Sequence, residues 1–398
     1  MKISKVASIV RPSPTLSIST KAKKLIAKGE DIVNFSAGEP DFDTPDNIKQ
    51  AAIEAINSDR TRYTDYEGIP ELRKAVAKEV SAYTGIKYKA DNVVISNGSK
   101  HAIKNALAAL LDPGDEVVIP APYWNSYIDI VNMLGAVPVV VQTRVQDSYK
   151  ITGKLLEQNI TEKTRAIIIN TPNNPTGMVY TKQELEDIAL LAEKYDFAII
   201  SDEIYKDLIY SNKLLHTSIA SVSEDTAKRT VIVGGFSKSY AMTGWRVGYT
   251  VSDKKLTKAI ANIQSNSTSN INTIAQYAAL EALEGPKDQA LEMLKHFEHR
   301  RDYIAQRISD IPMLSSLLPK GAFYIFVDVS KLIGKTVFDT PLKNSSDVAK
   351  ILLEKYKVAV VPSDAFGIEN YIRISFATSM RDVVEGANRI EKFIKENF

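Results

Sequence analysis

One lysine in the sequence lies where its amine could do covalent chemistry. Lys238 stands in the segment 236–239 (FSKS), directly after an apolar run over 230–234 that indicates a buried strand. Small neighbours at a buried strand end could lower the pKa of the amine, and a neutral amine can form a Schiff base with a carbonyl compound. Most lysines are solvated surface charges, and this loop alone leaves both interpretations of Lys238 open.

A second loop places an acid at the end of another apolar run. Asp202 follows residues 198–201 and begins the segment 202–205 (DEIY). An ionised carboxylate at a buried strand end is costly unless a cation pairs with it, so Asp202 predicts a cationic partner. The alternative is that Asp202 caps the segment that follows it.

Two further loops contain small polar residues and turn formers. The segment 96–100 (SNGSK) precedes a helical pattern, and its backbone NH groups together with the helix amino end could hold an anion such as phosphate. Because this segment is neither a P-loop nor a dinucleotide fingerprint, an ordinary capped turn is the alternative. The segment 173–177 (NNPTG) is a good turn and by itself indicates no more.

The four loops follow apolar runs, rich in Val and Ile, that alternate with helical patterns. This alternation predicts an α/β fold with a mostly parallel central sheet, in which ligands bind at the carboxyl ends of the strands. The predicted strands cover residues 93–95, 117–119, 166–170, 198–201, 230–234 and 247–251, and helices are predicted over 99–111 and 182–195.

The last third of the sequence shows a different pattern of predicted elements. Long charged helices, with few strands between them, indicate a smaller α+β domain there. The predicted elements are helices over 290–308 and from 381 onward and strands over 323–329 and 358–361. With Gly285-Pro286 as the linker signal, we predict a large domain over 46–284 and a small domain formed by 1–45 and 285–398, which includes an N-terminal arm.

The composition excludes several kinds of site and partner. The 398 residues contain no cysteine, which rules out disulfides and thiolate zinc sites, and four scattered histidines argue against a histidine-rich metal site, so we expect no metal. With 50 basic and 48 acidic side chains the net charge is only +2, so no nucleic-acid partner is expected. The sequence contains no run of about 18 apolar residues, so no membrane span is predicted. We expect a soluble, cytoplasmic protein with no membrane partner.

The loops and several other motifs occur in the order that is found in one enzyme family. The sequence resembles, over almost its whole length, the class I aminotransferases, which are aspartate aminotransferase-like enzymes of fold type I that use pyridoxal phosphate. The matching motifs are Ala37-Gly38-Glu39-Pro40-Asp41, Tyr63 before Gly68, Gly98-Ser99-Lys100, Pro122-Tyr123-Trp124, Asn174-Pro175-Thr176-Gly177, Asp202-Glu203-Ile204-Tyr205, Ser237-Lys238, Arg246 and Arg373. The resemblance implies ping-pong transfer of an amino group between an L-amino acid and a 2-oxo acid.

The resemblance also implies a role for individual residues around pyridoxal phosphate. Lys238 would be the Schiff-base lysine and proton shuttle, and Asp202 would pair with the protonated pyridine nitrogen. Tyr205 and Asn174 would hold the phenolic oxygen, and Trp124 would stack on the ring. The phosphate would be held by Gly98, Ser99, Ser237, Arg246 and, from the second subunit of a homodimer, Tyr63.

Substrate recognition follows from the same resemblance. Arg373 would bind the α-carboxylate through two parallel hydrogen bonds, which a lysine cannot reproduce. Further contacts with the substrate would come from Gly38, Asn174 and Trp124. Because Arg373 belongs to the predicted small domain and Lys238 to the large one, we also expect the domains to close on the substrate.

The substrate side chain is predicted from three further residues. Lys100 stands where the aspartate and prephenate aminotransferase branch has a lysine for the distal carboxylate. Arg11 and Thr15 resemble an arginine and a threonine that are tied to prephenate use in that branch. We therefore expect aspartate or glutamate with 2-oxoglutarate or oxaloacetate, and prephenate as a second acceptor.

The sequence departs from animal-type aspartate aminotransferases at two points, and other functions must be weighed against the predicted one. Gly235 stands where animal-type aspartate aminotransferases have a serine that contacts phosphate, and no counterpart of their partner-subunit arginine is found. An aromatic or alanine aminotransferase, or a carbon–sulfur lyase, on the same scaffold would keep Lys238, Asp202 and Arg373. A non-catalytic regulator would need an appended module, and a nicotinamide dehydrogenase would need a Gly-x-Gly-x-x-Gly loop after a strand; neither is predicted.

Overall fold

The computed structural model describes residues 1–10, 14–210 and 215–398, and only the backbone of residues 5, 9 and 14–16. The α-helices in this part of the chain are α1 (Lys5–Ile9), α2 (Pro14–Ile26), α3 (Asp46–Asn57), α4 (Pro70–Thr84), α5 (Ser99–Leu110), α6 (Ser126–Met133), α7 (Gly153–Glu157), α8 (Lys182–Tyr195), α9 (Glu224–Arg229), α10 (Lys254–Ser267), α11 (Thr273–Glu284), α12 (Asp288–Asp310), α13 (Ser345–Tyr356) and α14 (Met380–Asn397). The strands are β1 (Val33–Asn34), β2 (Val93–Ser96), β3 (Glu116–Ala121), β4 (Val137–Gln142), β5 (Thr164–Asn170), β6 (Ala198–Asp202), β7 (Thr230–Gly235), β8 (Gly248–Val251), β9 (Ser315–Ser316), β10 (Tyr324–Asp328), β11 (Thr336–Val337), β12 (Thr340–Pro341), β13 (Val358–Ala359), β14 (Val361–Pro362) and β15 (Tyr371–Ser375). Among these residues, no helix is long and apolar enough to cross a membrane.

A seven-stranded sheet carries the loops that the sequence singles out. Its strand order is β2-β8-β7-β6-β5-β3-β4, and neighbours from β7 to β4 pair in parallel. Parallel strands end at one edge of a sheet, so the loops that follow Asn170, Asp202 and Gly235 meet there.

Both faces of the inner strands of this sheet are buried, which explains their near-continuous apolar sequences. Successive side chains of a strand point to opposite faces. Ile200 of β6 accordingly belongs to a core cluster with Ile103 and Leu107 of α5, whereas Ile199 belongs to a cluster with Leu185 of α8. The sheet is therefore a rigid layer on which the edge loops are held.

One strand of the large sheet runs opposite to both of its neighbours. A near-continuous apolar run such as 247–251 is typical of a parallel strand, but β8 pairs antiparallel with both β2 and β7. The connection from β7, residues 236–247, contains no helix that could carry the chain back across the sheet, so the chain returns antiparallel. This turn-rich connection is the segment that contains Lys238.

A second sheet lies in the C-terminal part of the chain. Its strand order is β14-β15-β10-β9, and all its pairs are antiparallel. The single strand predicted over 358–361 is wrong: β13 pairs with β1 and β14 joins this second sheet, because the two halves of the run meet different partner strands. The pairing of β1 with β13 joins the N-terminal segment to the C-terminal part. The domain division at residues 46 and 284 stays a prediction.

Candidate active site

A cavity of about 370 Å³ opens at the carboxyl edge of the large sheet. The loops after β5, β6 and β7, the start of α5 and strand β15 all contribute to its wall. Of the predicted site residues, it brings together Gly38, Ser99, Lys100, Trp124, Asn174, Asp202, Tyr205, Ser237, Lys238, Arg246 and Arg373.

Of the other predicted site residues, Gly98 and Tyr63 are not among the residues that line this cavity, and the side chains of Arg11 and Thr15 lie outside the described part of the chain. The side chain of Tyr63 is 92% exposed and lies at a separate hollow, near Asn270 and Thr273. Arg11 lies outside the described residues. Thr15 belongs to α2, but its side chain also lies outside the described part. The roles predicted for these residues stay predictions.

Lys238 lies in the turn after β7, with its amine directed at the opposite wall. The amine donates a 2.6 Å hydrogen bond to the carbonyl oxygen of Gly38. Burial lowers the pKa of this amine to about 8, although the charge of Glu39 acts to raise it. Roughly a tenth of the amine is therefore neutral at pH 7, far more than for a solvated lysine, and a neutral amine can attack a carbonyl or accept a proton.

Asp202 ends β6 and is only 3% exposed. Its carboxylate accepts a 2.6 Å hydrogen bond from the hydroxyl of Tyr127 and a 3.2 Å bond from the backbone NH of Ile204. Burial raises the pKa of this carboxyl to about 6, because it outweighs the two donors. A cation in the cavity beside Asp202 would offset the cost of burial.

Tyr127 is a functional candidate that the sequence analysis missed. Its backbone NH bonds to the carbonyl of Trp124 across a turn, and the two rings meet edge to face at 5.4 Å. This turn places both side chains at the cavity, one against Asp202 and one beside Lys100. The sequence did contain a signal for Tyr127. It follows Trp124 by three residues at the start of a helix, and side chains at that spacing are neighbours.

Arg373 projects from β15 and is 1% exposed. Its guanidinium donates to the side-chain oxygen of Asn174 at 2.9 Å and to the carbonyl of Ser36 at 3.0 Å. Its buried Nε has no hydrogen-bond partner among the described residues, and burial lowers its pKa. The guanidinium is thus fixed in orientation and still has donor capacity for a carboxylate.

Tyr324 is a second residue that the sequence analysis missed. In the pairing of β10 with β15, Tyr324 lies opposite Ser375, which places its ring diagonally next to Arg373 at 4.3 Å from the guanidinium carbon. Its hydroxyl lies 3.0 Å from the hydroxyl of Tyr205. Tyr324 therefore positions both Arg373 and Tyr205.

The start of α5 forms a cradle suited to an anion. Gly98 has φ +80, and a Cβ there would lie 2.3 Å from the Arg246 guanidinium, so a larger residue would displace that cation. Ser99 begins α5, and its hydroxyl donates to the carbonyl of Gly234 at 2.9 Å. A Cβ at Gly235 would lie 2.7 Å from this hydroxyl oxygen, which explains glycine at that position. The helix amino end and the guanidinium both favour a phosphate group.

The comparisons with known proteins agree with this geometry. The family model described as "Aminotransferase class I and II" matches residues 30–390. The chain belongs to this family. It is 44% identical to the aspartate aminotransferase of Bacillus sp. (strain YM-2), with 96% of this chain and 97% of the relative covered.

Further relatives show the same family. A probable aspartate/prephenate aminotransferase of Rickettsia conorii is 44% identical, with 98% of each chain covered. The solved structure of the aspartate aminotransferase from Thermus thermophilus with maleate is 36% identical, has a TM-score of 0.93, and covers 98% of this chain and 99% of its own. The predictions of an aminotransferase and of an α/β fold with a mostly parallel central sheet are confirmed.

In this class I and II aminotransferase, Lys100 supplies a cation at the rim of the cavity. Its amine lies 4.9 Å from the centre of the Trp124 ring. Burial and the charge of Arg246 lower the pKa of this amine, while Asp129 acts in the opposite direction. Together with Arg373, Lys100 gives the cavity two cationic groups that a small dicarboxylate could use.

Proposed function

We propose that this chain is a pyridoxal-phosphate-dependent aspartate aminotransferase that exchanges amino groups between aspartate or glutamate and 2-oxo acids. The main support is that Lys238, Asp202 and Arg373 line one cavity in a member of this family. Burial shifts the pKa of each of these groups in the direction that favours its neutral form. Groups whose ionised forms are disfavoured in one cleft are typical of active sites.

The donor set fits pyridoxal phosphate at two points. The cradle formed by Gly98, Ser99 and Arg246 suits its phosphate, with the Ser237 hydroxyl nearby in the same wall. The buried carboxylate of Asp202 suits its pyridine nitrogen, because a protonated nitrogen would compensate the desolvated charge. When bound, this cofactor supplies an electron sink that makes the α-proton of an amino acid removable.

The remaining steps belong to side chains of this chain. Lys238 would bind the cofactor's aldehyde carbon in the resting enzyme and, once released, would move the proton from the substrate's α carbon. An amine with a pKa of about 8 can both accept and return that proton near neutral pH. Tyr205, whose hydroxyl is fixed by Tyr324, and Asn174, fixed by Arg373, would hold the phenolic oxygen. Trp124 would cover the face of the ring.

Arg373 would orient the substrate. Its guanidinium is held by Asn174 and Ser36, so little conformational entropy would be lost when an α-carboxylate binds. The backbone of Gly38, whose carbonyl accepts from Lys238 and which lines the same cavity as Arg373, would add a further contact with the substrate. Lys100 would pair with the distal carboxylate of a dicarboxylic substrate.

The relatives support this choice of substrate. Those reported above are named aspartate aminotransferase or probable aspartate/prephenate aminotransferase. Prephenate as a second acceptor depends on Arg11 and Thr15, whose side chains lie outside the described residues. Aspartate is therefore the first substrate to test.

We also propose a homodimer in which Tyr63 reaches the phosphate of the partner's site. Its ring is almost fully exposed, yet its segment is well held. Gln264 donates to the carbonyl of Tyr66 at 2.7 Å, and Thr273 donates to the carbonyl of Arg62 at 2.8 Å. An exposed tyrosine on a rigid segment suits contact with a second copy. Activity that survives dilution to monomer would contradict a shared site.

Product formation with and without an amino acceptor tests the proposed function. We expect purified protein supplied with pyridoxal phosphate to form more than one equivalent of oxaloacetate per active site from aspartate only when 2-oxoglutarate is present, because one equivalent is released in the first half of the transfer. Continued oxo-acid release beyond that equivalent without any acceptor would indicate a lyase instead. Faster turnover of alanine or an aromatic amino acid than of aspartate would overturn the substrate assignment and leave the reaction type intact.

A further inference from the structure

A second polar cluster lies behind Asp202 and takes no part in the mechanism above. Its centre is Glu203, whose side chain is 0% exposed. The Glu203 carboxylate accepts four hydrogen bonds, from Ser201 (2.8 Å) and Ser218 (2.6 Å) at Oε1 and from Tyr83 (2.8 Å) and His216 (2.9 Å) at Oε2. The cluster is thus a complete site for one buried carboxylate.

Glu203 and Asp202 share one short stretch of backbone. Asp202 ends β6, and the backbone NH of Glu203 donates to the carbonyl of Val233 on the neighbouring strand. Successive side chains of an extended segment point to opposite sides, so Asp202 lines the cavity while Glu203 faces Tyr83 of α4. Fixing Glu203 therefore fixes the direction of Asp202.

The charge of Glu203 also reaches Asp202. Burial acts to raise the pKa of the Glu203 carboxyl, but His216 and the hydroxyl donors outweigh it and hold this pKa low, so the group is ionised. Glu203 is in turn one cause of the raised pKa of Asp202, after burial. The other ionisable groups around the cluster are Glu79, Lys206, Asp207, Tyr88 and Tyr249.

We propose that Glu203 is a positioning residue that aims Asp202 into the cavity and whose negative charge helps Asp202 hold a protonated ring nitrogen. A second carboxylate close behind the first makes loss of that proton less favourable, because the proton's removal would leave two negative charges near each other. The inference rests on the proposed function, since it assumes that Asp202 faces the nitrogen of pyridoxal phosphate.

Two variants separate the charge of Glu203 from its hydrogen bonds. Glu203→Gln removes the charge and keeps the shape: its amide NH2 can face Ser201 and Ser218, whose hydroxyls accept as well as donate, and its oxygen can keep Tyr83 and His216. Tyr83→Phe is the matched control, because it removes one donor to the same carboxylate and leaves the charge in place.

The measurement is the nitrogen-15 chemical shift of ring-labelled pyridoxal phosphate bound to each protein, followed against pH. We expect Glu203→Gln to lose the ring proton at a pH roughly one unit lower than wild type, and Tyr83→Phe to match wild type. Equal protonation at every pH in wild type and Glu203→Gln, or equal shifts in both variants, would overturn the inference. Failure of all three proteins to bind the cofactor would instead overturn the proposed function.

Discussion

Two clusters of buried charge lie on opposite sides of the end of β6, and their charges behave in opposite ways. On the cavity side, burial raises the pKa of Asp202 to about 6, lowers that of Lys238 to about 8 and also lowers that of Arg373. Behind the strand, partners outweigh burial, so the pKa of Glu203 is lowered and that of Lys206 is raised. These three cavity-side groups are therefore biased toward their neutral forms, whereas Glu203 and Lys206 behind the strand are held in their charged forms.

This difference separates a site built for charged ligands from a cluster whose charges are paired within the protein. Glu203 has four donors, and Lys206 pairs with both Glu79 and Asp207. Asp202 has two neutral donors, and Lys238 has one carbonyl acceptor. We infer that changes on the cavity side alter function more than stability, and that changes behind the strand do the reverse.

The largest contrast is expected between two lysines. Lys238→Ala should lower turnover with aspartate by at least about 10⁴-fold, because the group that moves the proton is lost, while the melting temperature stays near that of wild type. Lys206→Ala leaves two carboxylates without their cation and should lower the free energy of unfolding by roughly 2–4 kcal/mol, with most turnover kept. Steady-state kinetics and urea unfolding of both proteins check this contrast. Comparable turnover in the two variants would contradict the expected difference between the two lysines.

Two buried arginines offer the next comparison. Arg373→Lys should raise the KM for aspartate by roughly 10–100-fold, because an ammonium group cannot form the paired hydrogen bonds of a guanidinium. Arg301 is 6% exposed and donates to the backbone carbonyl of Pro319, away from the cavity wall. Arg301→Lys is therefore the control: it should lose stability and keep its KM. A KM that rises equally in both variants would argue against a substrate role for Arg373.

Replacing Asp202 should raise the stability of the cofactor-free protein and weaken its function. Its folded-state pKa of about 6 lies above the unfolded value of 3.8, so this group stabilises the fold below pH 3.8, and that contribution is lost as pH rises through 6. Cofactor-free Asp202→Asn cannot ionise and should be about 1–3 kcal/mol more stable than wild type at pH 8, with a smaller gain at pH 5. Urea unfolding at both pH values measures the gain, and cofactor affinity should fall in the same variant. A less stable cofactor-free variant at pH 8 would contradict this account.

The smallest effect is expected at the rim of the cavity. Lys100→Gln should lower kcat/KM for aspartate by roughly 10-fold, because one partly exposed ion pair with the distal carboxylate is lost. Alanine, which has no distal carboxylate, serves as the control substrate, and its kcat/KM should not change. Unchanged aspartate kinetics would remove the basis for a dicarboxylate preference.

Local patterns in the sequence predicted most of the large sheet. Helix α8 has the predicted bounds, because Thr181 and Glu184 form a capping box at its start and the apolar period holds to its end. Residues 358–361 were wrongly predicted as one strand, and the antiparallel direction of β8 was not predicted, since both features depend on which distant strand becomes the partner. Such choices are made by tertiary packing, which a local pattern does not contain.

The residues of the candidate site also differ in whether local sequence or tertiary packing reveals them. Lys238 and Asp202 were found because a charged residue at the end of an apolar run is unusual and needs a reason. Tyr324 was missed because it stands inside an apolar strand, and its position beside Arg373 follows only from the register of β10 with β15. The pairing of Tyr127 with Asp202 likewise depends on how α6 packs against the sheet edge.

The most direct test of the central claim is an absorbance titration of the purified protein, supplied with pyridoxal phosphate, first with aspartate and then with 2-oxoglutarate. We predict a visible band from cofactor bound to Lys238 that disappears with aspartate and returns with 2-oxoglutarate, because each half of the transfer reverses the other. A band that aspartate leaves untouched while alanine or an aromatic amino acid removes it would contradict the assigned substrate. The absence of any band after the cofactor is added would contradict the claim that this cavity is a pyridoxal-phosphate site.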